Sequence, residues 1–267
     1  MKKRLGLLFS LLFLVSCTPT SSSSSSSTSS SSSSSSSAPM YYEHTYYDDI
    51  LLTTSGTALK GELRTLITST HKTQTTYGDL RNYLKNSDKV ESGKMQTFYA
   101  HAEINGTWDN GTTYDREHVW PKANSWFSKV SNSDKGAGAD LHHIRPTIPK
   151  INNTRGNLPF GDFDETKATK VMSGEYLGGY TSNGFFEPLD HSKGDVARII
   201  FYLVTRYSES DSYAITKVAQ SYEMLLLWNT LDPVDEVERN RNEYTYGIQG
   251  NRNPFIDYPE MANKIWG

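Results

Sequence analysis

The sequence predicts an α+β fold, short strands set among α-helices, and three stretches carry that reading. Over residues 195–207, Val196, Ile199, Ile200, Leu203, Val204 and Tyr207 recur at helical spacing after Gly194, which marks a core helix. Residues 219–231 hold Met224, Leu225, Leu226, Leu227 and Trp228, stop before Pro233, and read as a helix apolar all round and therefore buried. Residues 97–120 are aromatic and β-compatible, punctuated by Asn105-Gly106 and Asn110-Gly111. Asn-Gly pairs favour tight turns with positive φ, so short strands and hairpins are expected there.

At the start of the chain, Lys2, Lys3 and Arg4 precede an apolar run over residues 5–15, then Ser16 and Cys17. A charged n-region, a short h-region and a small residue at the cleavage point read as a bacterial secretion signal over residues 1–17. A spanning helix needs about 20 apolar residues, and this run is shorter. Leu14-Val15-Ser16-Cys17 resembles the lipobox of bacterial lipoproteins, which implies cleavage before Cys17 and a membrane anchor through a lipid on it. Cys17 is the only cysteine of the 267 residues, so it can neither close an internal disulfide nor join a cysteine metal cluster. Residues 18–39 are serine-rich, have nothing to bury, and are expected to form a disordered linker. A single folded domain over residues 40–267 follows, in an extracytoplasmic protein that is either membrane-anchored or secreted.

The formal charge is −3, and loss of the three cations Lys2, Lys3 and Arg4 takes it to −6, which excludes a uniformly basic surface. Positive potential for a polyanion must then be local to one cleft. Residues 131–139 are irregular and Gly-rich, and Pro146 and Pro149 bracket a turn into a helix over about 147–154. No repeat of solenoid length is evident.

The densest polar cluster comes in pieces: Asp115-Arg116-Glu117-His118-Val119-Trp120-Pro121, then Asp140-Leu141-His142-His143-Ile144-Arg145-Pro146, then Ile151-Asn152-Asn153-Thr154-Arg155-Gly156-Asn157. It combines an imidazole able to act as a base near neutral pH, a carboxylate and amides suited to a hard cation, and arginines suited to phosphate. Those are the parts of metal-assisted phosphodiester cleavage. Neighbours on a strand point to opposite faces, so Glu117 and His118 would not chelate one ion as a pair; at a strand end one side chain can hold an ion and the other a water.

These runs, with Gln249-Gly250-Asn251-Arg252-Asn253-Pro254-Phe255-Ile256-Asp257 further on, resemble the bacterial endonuclease I family of periplasmic and extracellular nucleases. The resemblance spans roughly residues 114–257 and implies a ββα-metal (His-Me finger) core. It implies His118 as the general base, Glu117 and Asn152 as ligands of one divalent ion, usually Mg²⁺, with Mn²⁺ or Ca²⁺ as other candidates, and 5′-phosphate products. The implied substrate is DNA or RNA, cut with little sequence preference. No protein partner is indicated, and a monomer is expected.

Arg155 is expected either to contact phosphate or to form a structural salt bridge. Arg116 and Arg145 are read as structural. His143 and Asn157 are read as support for the site, and His142 as a hydrogen-bonded structural histidine, the two histidines facing opposite sides of a strand. His44, His71, His101 and His191 are assigned surface or capping roles, Asn251 and Asn253 structural ones. The chain departs from the family in lacking disulfides, and between its first two motifs it has Lys122, Lys129 and Lys135 but no arginine to clamp phosphate. The alternatives are a catalytically inactive lipoprotein of the same fold that binds nucleic acid or serves adhesion, and a zinc hydrolase built on His118, His142 and His143. Zinc wants a tetrahedral set of donors, which adjacent histidines on a strand do not offer.

Overall fold

The apolar stripe over residues 196–204 lies at the centre of the molecule in the computed structural model, which describes residues 43–125, 127, 130–207 and 214–267. The predicted leader, Cys17, the serine-rich linker and Lys129 lie outside the described residues.

In chain order come α1 (Gly56–Thr70), α2 (Leu80–Ser87), the paired strands β1 (Met95–Gln96) and β2 (Glu103–Ile104), then β3 (Asp115–His118), β4 (Ile144–Thr147) and α3 (Pro149–Arg155). A three-stranded antiparallel meander follows, β5 (Thr169–Ser173), β6 (Tyr176–Ser182) and β7 (Phe185–Glu187). The remainder is helical: α4 (Lys193–Arg206), α5 (Tyr222–Leu231), α6 (Glu236–Gln249), α7 (Pro254–Asp257) and α8 (Glu260–Trp266).

The helix expected over 195–207 is α4, buried along nearly its whole length between α1 and α5. The second expected helix is α5, started by Ser221, whose hydroxyl accepts from the Met224 amide. It is not buried on every side: Met224, Leu225 and Trp228 face the core, while Leu227 is 48% and Leu231 66% exposed. Composition alone hid that polarity, because apolar residues occupy both faces. Asp235 caps α6 through the Glu238 amide, and Gly250 ends it at φ 85°, in the left-handed region.

Of the two Asn-Gly pairs, only Asn110-Gly111 adopts the expected positive φ, at 62° and 84°. Gly106 is required by space instead: a Cβ there would fall 2.5 Å from the Lys85 Cβ. Strand β3 does not close a local hairpin but pairs with β4, with Asp115 opposite Thr147 and His118 opposite Ile144. Pro146 is thus inside β4, facing Arg116, and the next helix begins at Pro149 rather than near Thr147. Proline is tolerated because this sheet has two strands and Pro146 has no ladder hydrogen to give. Strands β3 and β4 with α3 form the predicted ββα unit.

Two buried polar systems fix this unit against the helices. Asp88 accepts from Arg145 Nε at 2.9 Å and also pairs with Arg241, while Arg145 reaches Asp195 at 3.0 Å. Arg198 grips Glu238 with Nε and Nη2, and Arg241 donates to the Ile144 carbonyl at 2.7 Å. The second system uses His142 and His143, which lie in the turn before β4 and not on a strand. His142 Nε2 donates to the Asn251 carbonyl at 3.0 Å. His143 donates from Nδ1 to the Ala137 carbonyl at 2.7 Å and accepts the Trp120 amide on Nε2 at 3.0 Å. Burial pushes both imidazoles down to about 4, so both are neutral.

Because the unfolded chain takes up these protons near the ordinary histidine value of about 6.5 and the folded one does not, the unfolded state binds more protons below it. Stability is therefore complete above about pH 6.5 and is lost as pH falls toward about 4. Urea midpoints followed by tryptophan fluorescence should drop across that window, and a flat profile would contradict the assignment. Asp88→Ala strips two buried guanidinium groups of a shared carboxylate, and urea unfolding should show a loss on the order of 3–5 kcal/mol.

Candidate active site

Alternation along β3 sends Asp115 and Glu117 to one face and Arg116 and His118 to the other. The first face meets α3. Asn152 Nδ2 donates to Asp115 Oδ2 at 3.1 Å, which turns the amide so that its carbonyl oxygen is left over. One turn on, Arg155 is fully buried and crosses back to β3, donating to the His118 carbonyl at 3.1 Å and the Val119 carbonyl at 2.6 Å. The same guanidinium pairs with Glu117 Oε1 at 3.2 Å and lies over the Phe160 ring at 4.6 Å. Tyr99 Oη also donates to Glu117 Oε1, at 2.7 Å, so both of these contacts fall on one carboxylate oxygen. Burial raises the Glu117 carboxyl against the opposing pull of Arg155 and Tyr99.

On the other face, His118 Nε2 lies 2.9 Å from the Gly138 carbonyl. A carbonyl only accepts, so Nε2 carries the proton and Nδ1 keeps its lone pair. The imidazole is flanked by Tyr77 at 5.3 Å and Phe127 at 5.9 Å between ring centroids, with His143 edge-on at 5.5 Å. Burial, then the nearby His143 and Lys122, hold its pKa well below the usual histidine value. The ring is consequently neutral and able to accept a proton.

His118 and Asn152 open onto one cavity of about 290 Å³, whose wall also includes Tyr77, Asp115, Arg116, Lys122 and Asn157. Glu117, 3% exposed, sits behind that wall and is linked to it through β3. Asn157 is therefore in the wall itself, whereas His143 touches His118 and the main chain around it. Arg155 is fully buried and spends Nη1 and Nη2 on main-chain carbonyls and Glu117, so of its two expected roles the geometry favours the salt bridge. Arg116 donates to the Tyr77 carbonyl and stacks on the Tyr77 ring at 3.6 Å.

The three histidines of the zinc reading do not converge, since His142 is tied to Asn251 and both nitrogens of His143 are engaged by the main chain. Among the described residues no three His, Cys, Asp or Glu side chains form a metal-holding group. Away from the cavity wall, His44 accepts the Tyr46 amide as a cap, and Asn253 caps α7 through the Phe255 amide.

Sequence reasoning passed over four participants. Asp115 was legible as the residue two before Glu117 on the same strand face, and Lys122 as the cation just after the motif's proline. Tyr99 and the Gly138 carbonyl arrive from distant segments, and a main-chain carbonyl leaves no trace in residue type.

Comparison with known proteins identifies the family to which the chain belongs. The endonuclease I family model matches residues 55–260. The chain is 36% identical over 230 residues to an extracellular ribonuclease of Bacillus amyloliquefaciens and 35% identical over 230 residues to one of Bacillus subtilis (strain 168), covering 79% of this chain and 75% of each relative. It is 28% identical over 118 residues to an extracellular deoxyribonuclease of Aeromonas hydrophila, 44% of this chain and 48% of that protein. A family match over most of the chain, together with a buried neutral histidine beside an oxygen-donor pair on a ββα unit, places this protein in the endonuclease I family of nucleases.

Proposed function

We propose that this nuclease is a metal-dependent endonuclease that hydrolyses DNA and RNA outside the cytoplasm with little sequence preference and leaves 5′-phosphate ends. The observation that carries the reading is His118, held neutral with its proton committed to the Gly138 carbonyl. Similarity to extracellular proteins named for ribonuclease and for deoxyribonuclease activity supports both substrates and the location. The lipobox-like residues before Cys17 support a lipid anchor.

The residues present fit a hard divalent cation. Glu117 is a buried carboxylate whose Oε1 takes both Tyr99 and Arg155, a hard oxygen donor fixed in orientation. Asn152 has its amide nitrogen occupied by Asp115, which leaves its carbonyl oxygen to ligate. Glu117 and Asn152 would hold Mg²⁺, or Mn²⁺ or Ca²⁺, through an all-oxygen set that leaves room for water and substrate. Such an ion supplies charge stabilisation at the phosphate oxygens and at the departing 3′ oxygen.

The chain's own residues do the rest. His118 takes the proton of the attacking water on Nδ1, the water oxygen bonds to phosphorus, the bond to the 3′ oxygen breaks, and that oxygen takes a proton from a second water to become the 3′ hydroxyl. Tyr99 and Arg155 hold Glu117 Oε1, and Arg155 fixes the main chain that carries the base. Tyr77 and Phe127 keep the imidazole from rotating.

The test is cleavage of plasmid DNA and of RNA by the purified protein, with Mg²⁺ or with chelator. Cleavage should stop in chelator, and His118→Ala should lower the rate by on the order of 10²–10⁴ with unchanged circular dichroism. Intact substrates with every divalent ion would end the nuclease reading, and cutting by His118→Ala at the wild-type rate would remove the base. The pH profile is a further check. Since burial lowers the His118 pKa, the base stays unprotonated as pH falls through about 6.5, and kcat/KM should hold level there. An acid limb centred at or above that value would contradict it.

A further inference from the structure

A phosphodiester entering the cavity brings negative charge into a chain whose own formal charge is −3, so a local cation is needed. Arg155 is buried beneath the site, and Arg116 is committed to the Tyr77 carbonyl and sandwiched against the Tyr77 and Trp108 rings at 3.6 and 4.8 Å. The other cation in the wall is Lys122. Among the described residues its ammonium makes no hydrogen bond or ion pair.

Its backbone, by contrast, is tied down on every side. Lys122 opens a single 3₁₀ turn, Lys122–Asn124, directly after Pro121 at φ −60°. The Lys122 carbonyl accepts from the Ser125 hydroxyl at 2.8 Å, and Trp120 Nε1 donates to the Asn124 carbonyl at 3.2 Å. Asn124 Nδ2 donates to the Asn157 carbonyl at 2.9 Å, and Asn157 belongs to the same cavity wall. Asn124 thus fastens the turn both to the segment leaving β3 and to the segment leaving α3. A free ammonium on a fixed mount, beside a base and an oxygen-donor pair, is arranged for an anion that comes from outside.

We propose that Lys122 is the residue of this cavity wall that grips the scissile or an adjacent phosphate. This rests on the nuclease reading above. A compact ammonium donates to non-bridging oxygens without reading bases, in keeping with cleavage of little sequence preference.

Gripping one phosphate releases condensed counterions, which gives a readout that a merely structural lysine would not move. Binding of a short fluorescein-labelled single-stranded RNA to the His118→Ala protein in chelator is followed by anisotropy over a range of NaCl concentrations. Adding Lys122→Met should weaken binding and reduce the slope of log Kd against log salt by about 0.7, the value for one phosphate contact on a single strand. Lys122→Arg in the same background should keep the parent slope. A Lys122→Met slope equal to the parent's, or loss of binding in Lys122→Arg as well, would overturn the proposal. If the first occurs while wild-type protein still cuts RNA, Lys122 is excluded and the nuclease reading stands.

Discussion

The placement of the Arg155 guanidinium is the constraint on which the site depends. One planar group joins α3 to three points of β3 and its continuation: the carbonyls of His118 and Val119, and the carboxylate of Glu117. Remove that cross-tie, and the strand that presents the base and the helix that presents Asn152 keep the Asn152 to Asp115 hydrogen bond but lose the contacts that fix the far end of the strand. An arginine is needed because a lysine ammonium cannot serve several acceptors in one plane. Stacking over Phe160 keeps the group's faces out of water, where hydrogen bonds to the carbonyls gain strength.

Much of the site was legible because its chemistry is concentrated in short runs: Glu117 and His118 adjoin, and Asn152, Arg155 and Asn157 lie within six residues. The fold's two central helices were legible from apolar spacing, although α5 showed that an all-apolar run does not reveal which side meets solvent. The meander β5–β7 was not anticipated, since β5 buries only Val171 and its exposed neighbours carry no clean alternation. Pairing of β3 with β4 was equally hidden. The 25 residues between them show no hairpin turn, and what brings the strands together is the Asp88 and His143 contacts from outside the pair.

Without a disulfide inside the folded part, this protein ties distant segments together with buried ions and imidazoles. The chain of Arg241, Asp88, Arg145 and Asp195 connects α6, the end of α2, β4 and α4 through links that span 153, 57 and 50 residues. Such ties depend on both partners keeping their charge in a way that a covalent link does not, and losing one partner leaves the other buried and uncompensated. The ions also discriminate: a one-residue slip of β4 would turn Arg145 away from Asp88 and Asp195, so the network specifies register.

The burial of His118 also bears on how the site would reset after each proposed turnover. An imidazole buried enough to stay neutral holds an acquired proton weakly, and the proposed reaction loads one proton onto it per bond cut. Weak retention favours handing that proton on to water, so burial that keeps the base ready also favours its return to the neutral state. The carbonyl keeps the ring in place while the charge comes and goes.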